Sequence, residues 1–354
     1  MQGKRTMAPE WHDADAIMLA WPHAQTDWAL WLEEARDTYL NVITAINRYN
    51  AGVILLCAPA DIDDLTARLA PDAKVLIVPA TYNDTWVRDY GFITCLDSDK
   101  NGSPVEFRFN GWGNKFNAED DNLANQRYLA ALCKSVLRSS PIVAEGGALE
   151  IDDQGHLLTT AQCLLNPKRN ADMPLSSYAD AFSDVLGCSK VTVLQHGHLE
   201  GDDTDGHVDT LVRFTPNTGL VIQACDNRPD DSHFEGLKAL CDECAHELPE
   251  HQQYRLPLPL INNEDGDRLP ASYANYLICN GAILLPIYGQ DEDREAIEVI
   301  QRAFPNYIVE PIDCRVLVRQ YGSLHCISMQ VPKNTLKDDI IERLKKGVSL
   351  HAPN

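Results

Sequence analysis

The feature that most constrains this chain is an alternation running from Trp11 to about Leu344: short runs rich in branched apolar side chains, then stretches with apolar residues at helical spacing. Ile17–Trp21, Val53–Cys57, Lys74–Val78, Val105–Phe109, His156–Thr160, Val191–Leu194, Leu211–Phe214, Leu220–Gln223, Ile283–Pro286, Tyr307–Val309 and Val316–Val318 read as strands, because branched side chains suit a pleated surface. Trp28–Tyr49, Ile62–Leu69, Asn122–Leu137, Ser177–Leu186, Phe234–Glu247, Asp291–Phe304 and Thr335–Lys345 read as helices, with Thr335 and Asp338 resembling an N-terminal cap. Such a succession predicts an α/β protein, not separate helical and sheet halves. Asn280-Gly281 between Tyr276–Cys279 and Ala282–Pro286 predicts a tight hairpin, and Asn101-Gly102 a second, so some pairing must be antiparallel. The glycine fingerprints of dinucleotide and P-loop sites are absent. Asp15–Pro22, Ala51–Pro59 and Tyr276–Pro286 each run an apolar strand into a proline, which suggests an internally repeated architecture.

With 354 residues, 44% of them apolar, the chain can bury a substantial core. A net charge of −22 repels phosphate backbones and anionic lipid, so neither nucleic acid nor a membrane surface is an expected partner, whereas small cations are favoured. Lys4 and Arg5 lead into no apolar run and no stretch approaches the length of a membrane span, which predicts a soluble, cytoplasmic protein. The eleven cysteines are scattered, several of them in strand contexts (Cys57, Cys225, Cys279), and are expected to be reduced and buried.

Two distant segments carry chemistry. In Asp205-Gly206-His207-Val208-Asp209, read as a strand, side chains two apart share a face, so His207 and Asp209 can enter one pocket. In Gly322-Ser323-Leu324-His325-Cys326, small residues allow a sharp turn that exposes the thiol. A thiol nucleophile with a histidine acid/base divides a hard substitution into two easier steps. The plainer reading makes Cys326 another core cysteine and His207 a hydrogen-bonded histidine.

In Trp86-Val87-Arg88-Asp89, Trp86 and Asp89 stand three apart and can line a pocket, where carboxylate and indole together would hold a planar cation. An Arg88–Asp89 ion pair with Trp86 as local core is the structural alternative. Glu145, ahead of Gly146-Gly147, is either solvated or orients the histidine and keeps it protonated. Gly111-Trp112-Gly113-Asn114-Lys115 reads as an aromatic loop whose role is packing. Cys241-x-x-Cys244-x-His246 has metal-like spacing, but no second cysteine pair answers it, and no metal is expected.

Taken together, Pro9-Glu10-Trp11, Trp21-Pro22-His23, Trp86-Val87-Arg88-Asp89-Tyr90-Gly91, Phe109-Asn110-Gly111-Trp112-Gly113, Glu145-Gly146-Gly147, Cys163-Leu164-Leu165-Asn166-Pro167-Lys168-Arg169-Asn170, Asp205-Gly206-His207-Val208-Asp209 and His325-Cys326 resemble the agmatine deiminase family, which takes in bacterial-type peptidylarginine deiminases. The resemblance runs nearly end to end. It implies a pentein fold, an α/β propeller of five quasi-repeated ββαβ units around a central site, formed by one domain over residues 1–354 with residues 1–8 as a flexible extension. It also implies hydrolysis of a small cationic guanidino substrate, agmatine, to N-carbamoylputrescine and ammonia without a cofactor, by a protein that forms a homo-oligomer. By the same resemblance Cys326 is the nucleophile, His207 the general acid/base, Glu145 its orienting carboxylate, Asp89 and Asp209 the guanidinium clamp, and Trp86 a pocket wall. Asp203 is the candidate for the substrate's tail amine. The family's glycine-rich approach to His-Cys is replaced here by Tyr321-Gly322-Ser323-Leu324. Rival expectations are deimination of C-terminal arginine in peptides, a metallohydrolase using His207 and Asp209, and a polyamine-binding module.

Overall fold

The computed structural model describes residues 5–351. Among these, the strands form five sheets, and each combines antiparallel with parallel pairing. One order recurs. Leu277–Cys279 pairs antiparallel with Ala282–Ile287, the chain crosses through the helix Asp293–Ala303, and Ile308–Asp313 returns parallel on the other edge. Val212–Thr215, Gly219–Gln223, the helix Phe234–Glu247 and Gln252–Leu256 repeat it. Glu150–Ile151, His156–Thr160, the helix Leu175–Leu186 and Lys190–Leu194 repeat it again. A fourth sheet joins Thr6–Met7, Ile93–Leu96, Gly102–Arg108 and Arg138–Val143. The fifth draws on both ends of the chain: Met329–Pro332 lies antiparallel to Ala14–Ala20, followed by Gly52–Cys57, Val75–Pro79 and Ser349–Leu350, all parallel.

The crossover helices bury one face each. On Asp293–Ala303 that face is Ala296, Val299, Ile300 and Ala303, the spacing of an amphipathic helix on a sheet. Gly52–Cys57, flanked by parallel strands, is buried at every position, which is why it reads as an unbroken apolar run. All eleven cysteines are buried and none forms a disulfide. Among the described residues no helix is long and apolar enough to cross a membrane.

Several expectations are corrected. The helix expected over Asn122–Leu137 is irregular and stops at Leu132: 3₁₀ turns at Asp121–Leu123 and Ala130–Leu132 flank a π-helical stretch, Asn125–Leu129. Their polar side chains serve backbone elsewhere: Asn122 Oδ1 accepts from Phe109 N at 2.8 Å and Asn125 Nδ2 donates to Tyr90 O at 2.7 Å. Such bonds compete with a regular helix. Val316–Val318 belongs to a helical turn, Arg315–Val318, initiated by Asp313 Oδ1 accepting Arg315 N at 3.1 Å. The last helix starts at Asp338 without a cap from Thr335, whose hydroxyl is buried and unpartnered. Of the extension expected over residues 1–8, Thr6 and Met7 pair with Leu96 and Cys95, so that part is sheet; residues 1–4 lie outside the described residues. Two of the three similar segments are neighbouring parallel strands, while the third is a hairpin in another sheet.

The hairpin at Asn280-Gly281 also ties two sheets together. Both residues take positive φ, 44° and 82°, as a tight two-residue turn requires. Asn280 Oδ1 accepts Ala14 N at 2.8 Å and its Nδ2 donates to Ala14 O at 3.0 Å. Asn280→Ala strands both groups of Ala14 and should cost about 1–3 kcal/mol in urea denaturation. Gly281→Ala meets open space but keeps an unfavourable φ, and should cost about 1–2 kcal/mol.

Candidate active site

The candidate residues sit on the connections between sheets. Asp89 lies in the helical turn Val87–Tyr90 that follows Val75–Pro79. Glu145 follows Arg138–Val143, Asn275 precedes Leu277–Cys279, and Cys326 precedes Met329–Pro332. His207 and Asp209 lie just before Val212–Thr215, but not on a strand. Asp205 and Gly206 take φ of 67° and 80°, and His207 opens a tight turn over Val208–Thr210. The two side chains thus meet through a turn, where period-two strand geometry had been expected.

Gly147 is where they converge. A Cβ on Gly147 would lie 2.6 Å from His207 Nδ1, 2.9 Å from Asp209 Oδ2 and 2.9 Å from Asp89 Oδ1. The backbone must therefore be bare here, and Gly147 N donates to Asp89 Oδ1 at 3.0 Å. His207 stands between two carboxylates, with Nδ1 3.6 Å from Asp89 Oδ1 and Nε2 3.8 Å from Glu145 Oε2. Burial disfavours the charged ring, but Asp89, joined by Cys163 and Glu145, overrides it and holds the His207 pKa well above its usual value. Burial likewise raises Asp89, with Asp209 and Glu145 adding to the rise and His207 opposing it. Glu145 is pushed up by burial yet ends below the usual carboxyl range, because His207 and Arg169 favour its anion.

Asp209 differs from Asp89. Its Oδ2 is 2.6 Å from His325 Nδ1, and this contact outweighs burial and lowers its pKa. Its Oδ1 is buried with no hydrogen-bond partner, an acceptor that the folded chain leaves unused. His325 Nε2 lies 2.6 Å from Glu10 Oε1, and Glu10 is also bound by Arg88, Arg213 and Gln330. Arg88 turns to Glu10 and Gln330, so the Arg88–Asp89 ion pair is not formed and Asp89 is free to face the pocket.

Cys326, 8% exposed, lines a pocket of about 130 Å³ together with Trp86, Asp89, Trp112, Gly322 and Tyr321. Asn275 Oδ1 lies 3.4 Å from its Sγ. Burial, then Asp209 and Asp89, push the thiol well above its ordinary pKa. Gly322 lies against the indole of Trp86, where a Cβ would come within 2.2 Å of the ring, while Tyr321 takes φ 62° with its side chain intact. One close-packed glycine suffices where a glycine-rich loop would offer several. Asp203 lines the same pocket, as do Asp27, Asp84 and Phe116, all of them more exposed than Cys326, Asp89 and Trp86.

Trp112 was expected to pack; its Nε1 instead donates to Asp89 Oδ2 at 3.0 Å, and its ring lines the pocket. Arg169, Glu10 and Asn275 were given no role by sequence reasoning. Arg169 and Glu10 do lie inside segments that carried the resemblance, which is the only signal they had. Among the described residues Glu145, Cys163 and His207 form the one group whose donor atoms could surround a metal, all within 4.8 Å of one another. Arg169 Nε already lies 2.8 and 3.1 Å from the two Glu145 oxygens, so a dication there would displace or face a buried guanidinium. Cys241 and Cys244 are buried on one helix face, and His246 on the same helix is 85% exposed.

Known proteins align with this chain along most of its length. A sequence profile described as Porphyromonas-type peptidyl-arginine deiminase matches residues 6–332. A Yersinia pseudotuberculosis protein, provisionally named agmatine deiminase, is 30% identical over 92% of this chain and 95% of its own. A crystal structure from Porphyromonas gingivalis, provisionally titled arginine deiminase, superposes with a TM-score of 0.87 at 40% identity, covering 94% of this chain and all of the other. A Cys→Ser variant of C. jejuni agmatine deiminase with substrate bound superposes with a TM-score of 0.88 at 30% identity, covering 95% and 99%. The chain belongs to the Porphyromonas-type peptidyl-arginine deiminase family, in which the agmatine deiminases also fall, and is a hydrolase acting on C–N bonds.

Proposed function

We propose that the protein hydrolyses agmatine to N-carbamoylputrescine and ammonia through a covalent intermediate on Cys326. The observation that carries this reading is the lining of one pocket: Cys326, Asp89 and Trp86 buried, Asp27, Asp84 and Asp203 more exposed, and no lysine or arginine among them. A guanidinium suits the buried carboxylate and indole, and an amine tail suits the more exposed acids. The α-carboxylate of arginine would meet mainly negative charge there, since Lys115, whose Nζ donates to Asp203 O at 2.6 Å, is paired with Asp205. The pentein arrangement of five repeated units is proposed as the frame, supported by the recurring order of hairpin, helix and parallel strand.

In this mechanism Asp89 and the unused Oδ1 of Asp209 hold the guanidinium flat, in the plane presented to sulfur. A delocalised cation resists attack, so the fixed orientation has to supply much of the acceleration. Binding also brings a positive charge beside Cys326 and offsets the two carboxylates that keep its proton on. Once the thiol has lost its proton to solvent, the thiolate adds to the central carbon, and protonated His207 gives its proton to the departing ammonia. The same ring then takes a proton from water, which attacks the thiouronium carbon and releases the urea product and the thiolate. The C. jejuni variant with serine in place of a cysteine, which holds substrate, is consistent with a cysteine nucleophile in the family.

A second reading, turnover of arginine in a peptide, is favoured by one observation. A larger cavity of about 610 Å³ shares Gln320 and Tyr321 with the catalytic pocket and carries Arg315 and Arg319. Assaying ammonia from agmatine, free arginine and a C-terminal-arginine peptide separates the two. The present reading requires the highest kcat/KM on agmatine, and a preference for the peptide would reverse it. Cys326→Ser should abolish turnover, and His207→Gln should reduce kcat on the order of 10²–10⁴-fold.

Two pH-linked outcomes follow from the local electrostatics. Free enzyme should show no Cys326 thiolate absorbance at neutral pH, taken as wild type minus Cys326→Ser. A saturating unreactive amidine should bring the thiolate titration down, and an unchanged titration would exclude substrate-assisted ionisation. In the same pocket, burial, with Asp27 adding, lifts the Asp84 pKa to about 6. A carboxyl is neutral below its pKa, so KM for agmatine should rise as the pH falls through about 6. Asp84→Asn should raise KM about tenfold and flatten that rise, the effect of one lost charge-assisted contact.

A further inference from the structure

Arg169 is buried, with its side chain 1% exposed, and touches neither the pocket nor Cys326. Its guanidinium nevertheless joins the two halves of the acid/base pair. Nε donates to both Glu145 oxygens, at 2.8 and 3.1 Å. Nη1 donates to Asp205 Oδ2 at 2.7 Å, and Nη2 to Thr204 O at 2.8 Å. Glu145 is the carboxylate facing His207 Nε2, and Thr204 and Asp205 belong to the loop that delivers His207. One rigid planar fork therefore holds Glu145 and the backbone before His207 at a fixed separation.

The turn that carries Arg169 is fastened at both ends. Asn166 caps it by accepting Lys168 N at 2.9 Å, and its Nδ2 donates to Asp205 Oδ2 at 2.8 Å. Asn170, at the other end, clasps the backbone of Val143, two residues before Glu145, accepting its N–H at 2.9 Å and donating to its carbonyl at 2.7 Å. Asp205 needs such holding, because it takes φ 67° immediately before Gly206 at 80°. Lys115 Nζ supplies a further donor to Asp205 Oδ1 at 2.8 Å. His207 Nε2 lies 3.8 Å from Glu145 Oε2, beyond hydrogen-bond length, so this contact alone does not fix the ring's place at Glu145. The ring is held there by its surroundings.

We infer that Arg169, on the Asn166–Asn170 turn, is a positioning residue for the proposed deimination, setting the Glu145–His207 separation on which both proton transfers depend. This rests on the role proposed for His207. Loss of Arg169 should lower kcat and leave guanidinium binding, which needs Asp89 and Asp209, nearly intact.

The test is steady-state kinetics of Arg169→Gln and Arg169→Lys with the best substrate of the wild type. Arg169→Gln should lose kcat on the order of 10²-fold with KM within about threefold. Arg169→Lys keeps the charge but cannot reach Glu145, Asp205 and Thr204 together, and should recover part of the loss. In a Glu145→Gln background Arg169→Gln should add little, as expected of two residues acting through one contact. Unchanged kcat, equal damage to kcat and KM, or fully additive losses would overturn the inference. If Arg169→Gln does not fold, Asn166→Ala, which removes one link to Asp205, must show a smaller loss confined to kcat, and an Asn166→Ala enzyme with wild-type kcat overturns it. A wild type that turns over no guanidino compound overturns the proposed function instead. A crystal structure of Arg169→Gln or Asn166→Ala then decides the positioning role without substrate, since unchanged places for Glu145 and His207 would refute it.

Discussion

Buried negative charge is the constraint around which this molecule is arranged. Asp89, Glu145 and Asp209 approach one histidine and one thiol, and Glu10 lies directly behind. Carboxylates taken out of water carry a large desolvation cost unless cations or hydrogen bonds meet them. The chain meets most of them itself: Arg169 on Glu145, His325 on Asp209, and Arg88, Arg213 and His325 on Glu10. Asp89 gets only two N–H donors and an imidazole 3.6 Å away, and one oxygen of Asp209 gets nothing. Those are the two carboxylates proposed to grip a guanidinium, and both act on Cys326, so the unfilled part of the charge balance lies beside the thiol.

The same imbalance acts on Cys326, the proposed nucleophile. A thiol beside two carboxylates is a poor acid, and burial with Asp209 and Asp89 holds the Cys326 pKa well above its ordinary value, which bound positive charge is proposed to bring down. A protein that holds its thiol in this way protects it from adventitious oxidation, because the reactive species is the thiolate. At other cysteines burial is the leading cause of the raised pKa, as at Cys279 and Cys314, whose thiols are pushed up chiefly by desolvation.

Much of the fold was legible because its signals are local. His156–Thr160 has its expected bounds, and Asn280-Gly281 forms its turn because two adjacent positive φ values favour that dipeptide. The Asp121–Leu132 segment is helical as expected, but its irregular form was not legible, since its side chains bond to backbone far along the chain and no local pattern records that. Within the site, Trp86 and Asp89 were readable from their spacing. Trp112 was not, because a tryptophan between two glycines looks the same whether it packs or donates to a carboxylate. Arg169 and Glu10 were hidden for a related reason: an arginine or a glutamate is usually solvated, and only the folded chain reveals what it has been buried against.

By itself the sequence determined the alternating strand and helix grammar, the net acidity that disfavours anionic partners, and the identities of the thiol, imidazole and carboxylates. Tertiary structure alone decided that these groups meet. They lie on successive passages from one sheet to the next, separated by up to hundreds of residues, and their approach depends on a bare backbone at Gly147 and a pinned left-handed turn before His207. Side-chain type is written residue by residue, but the distance between two charges is a property of how whole sheets pack, and it is distance that sets pKa and reactivity.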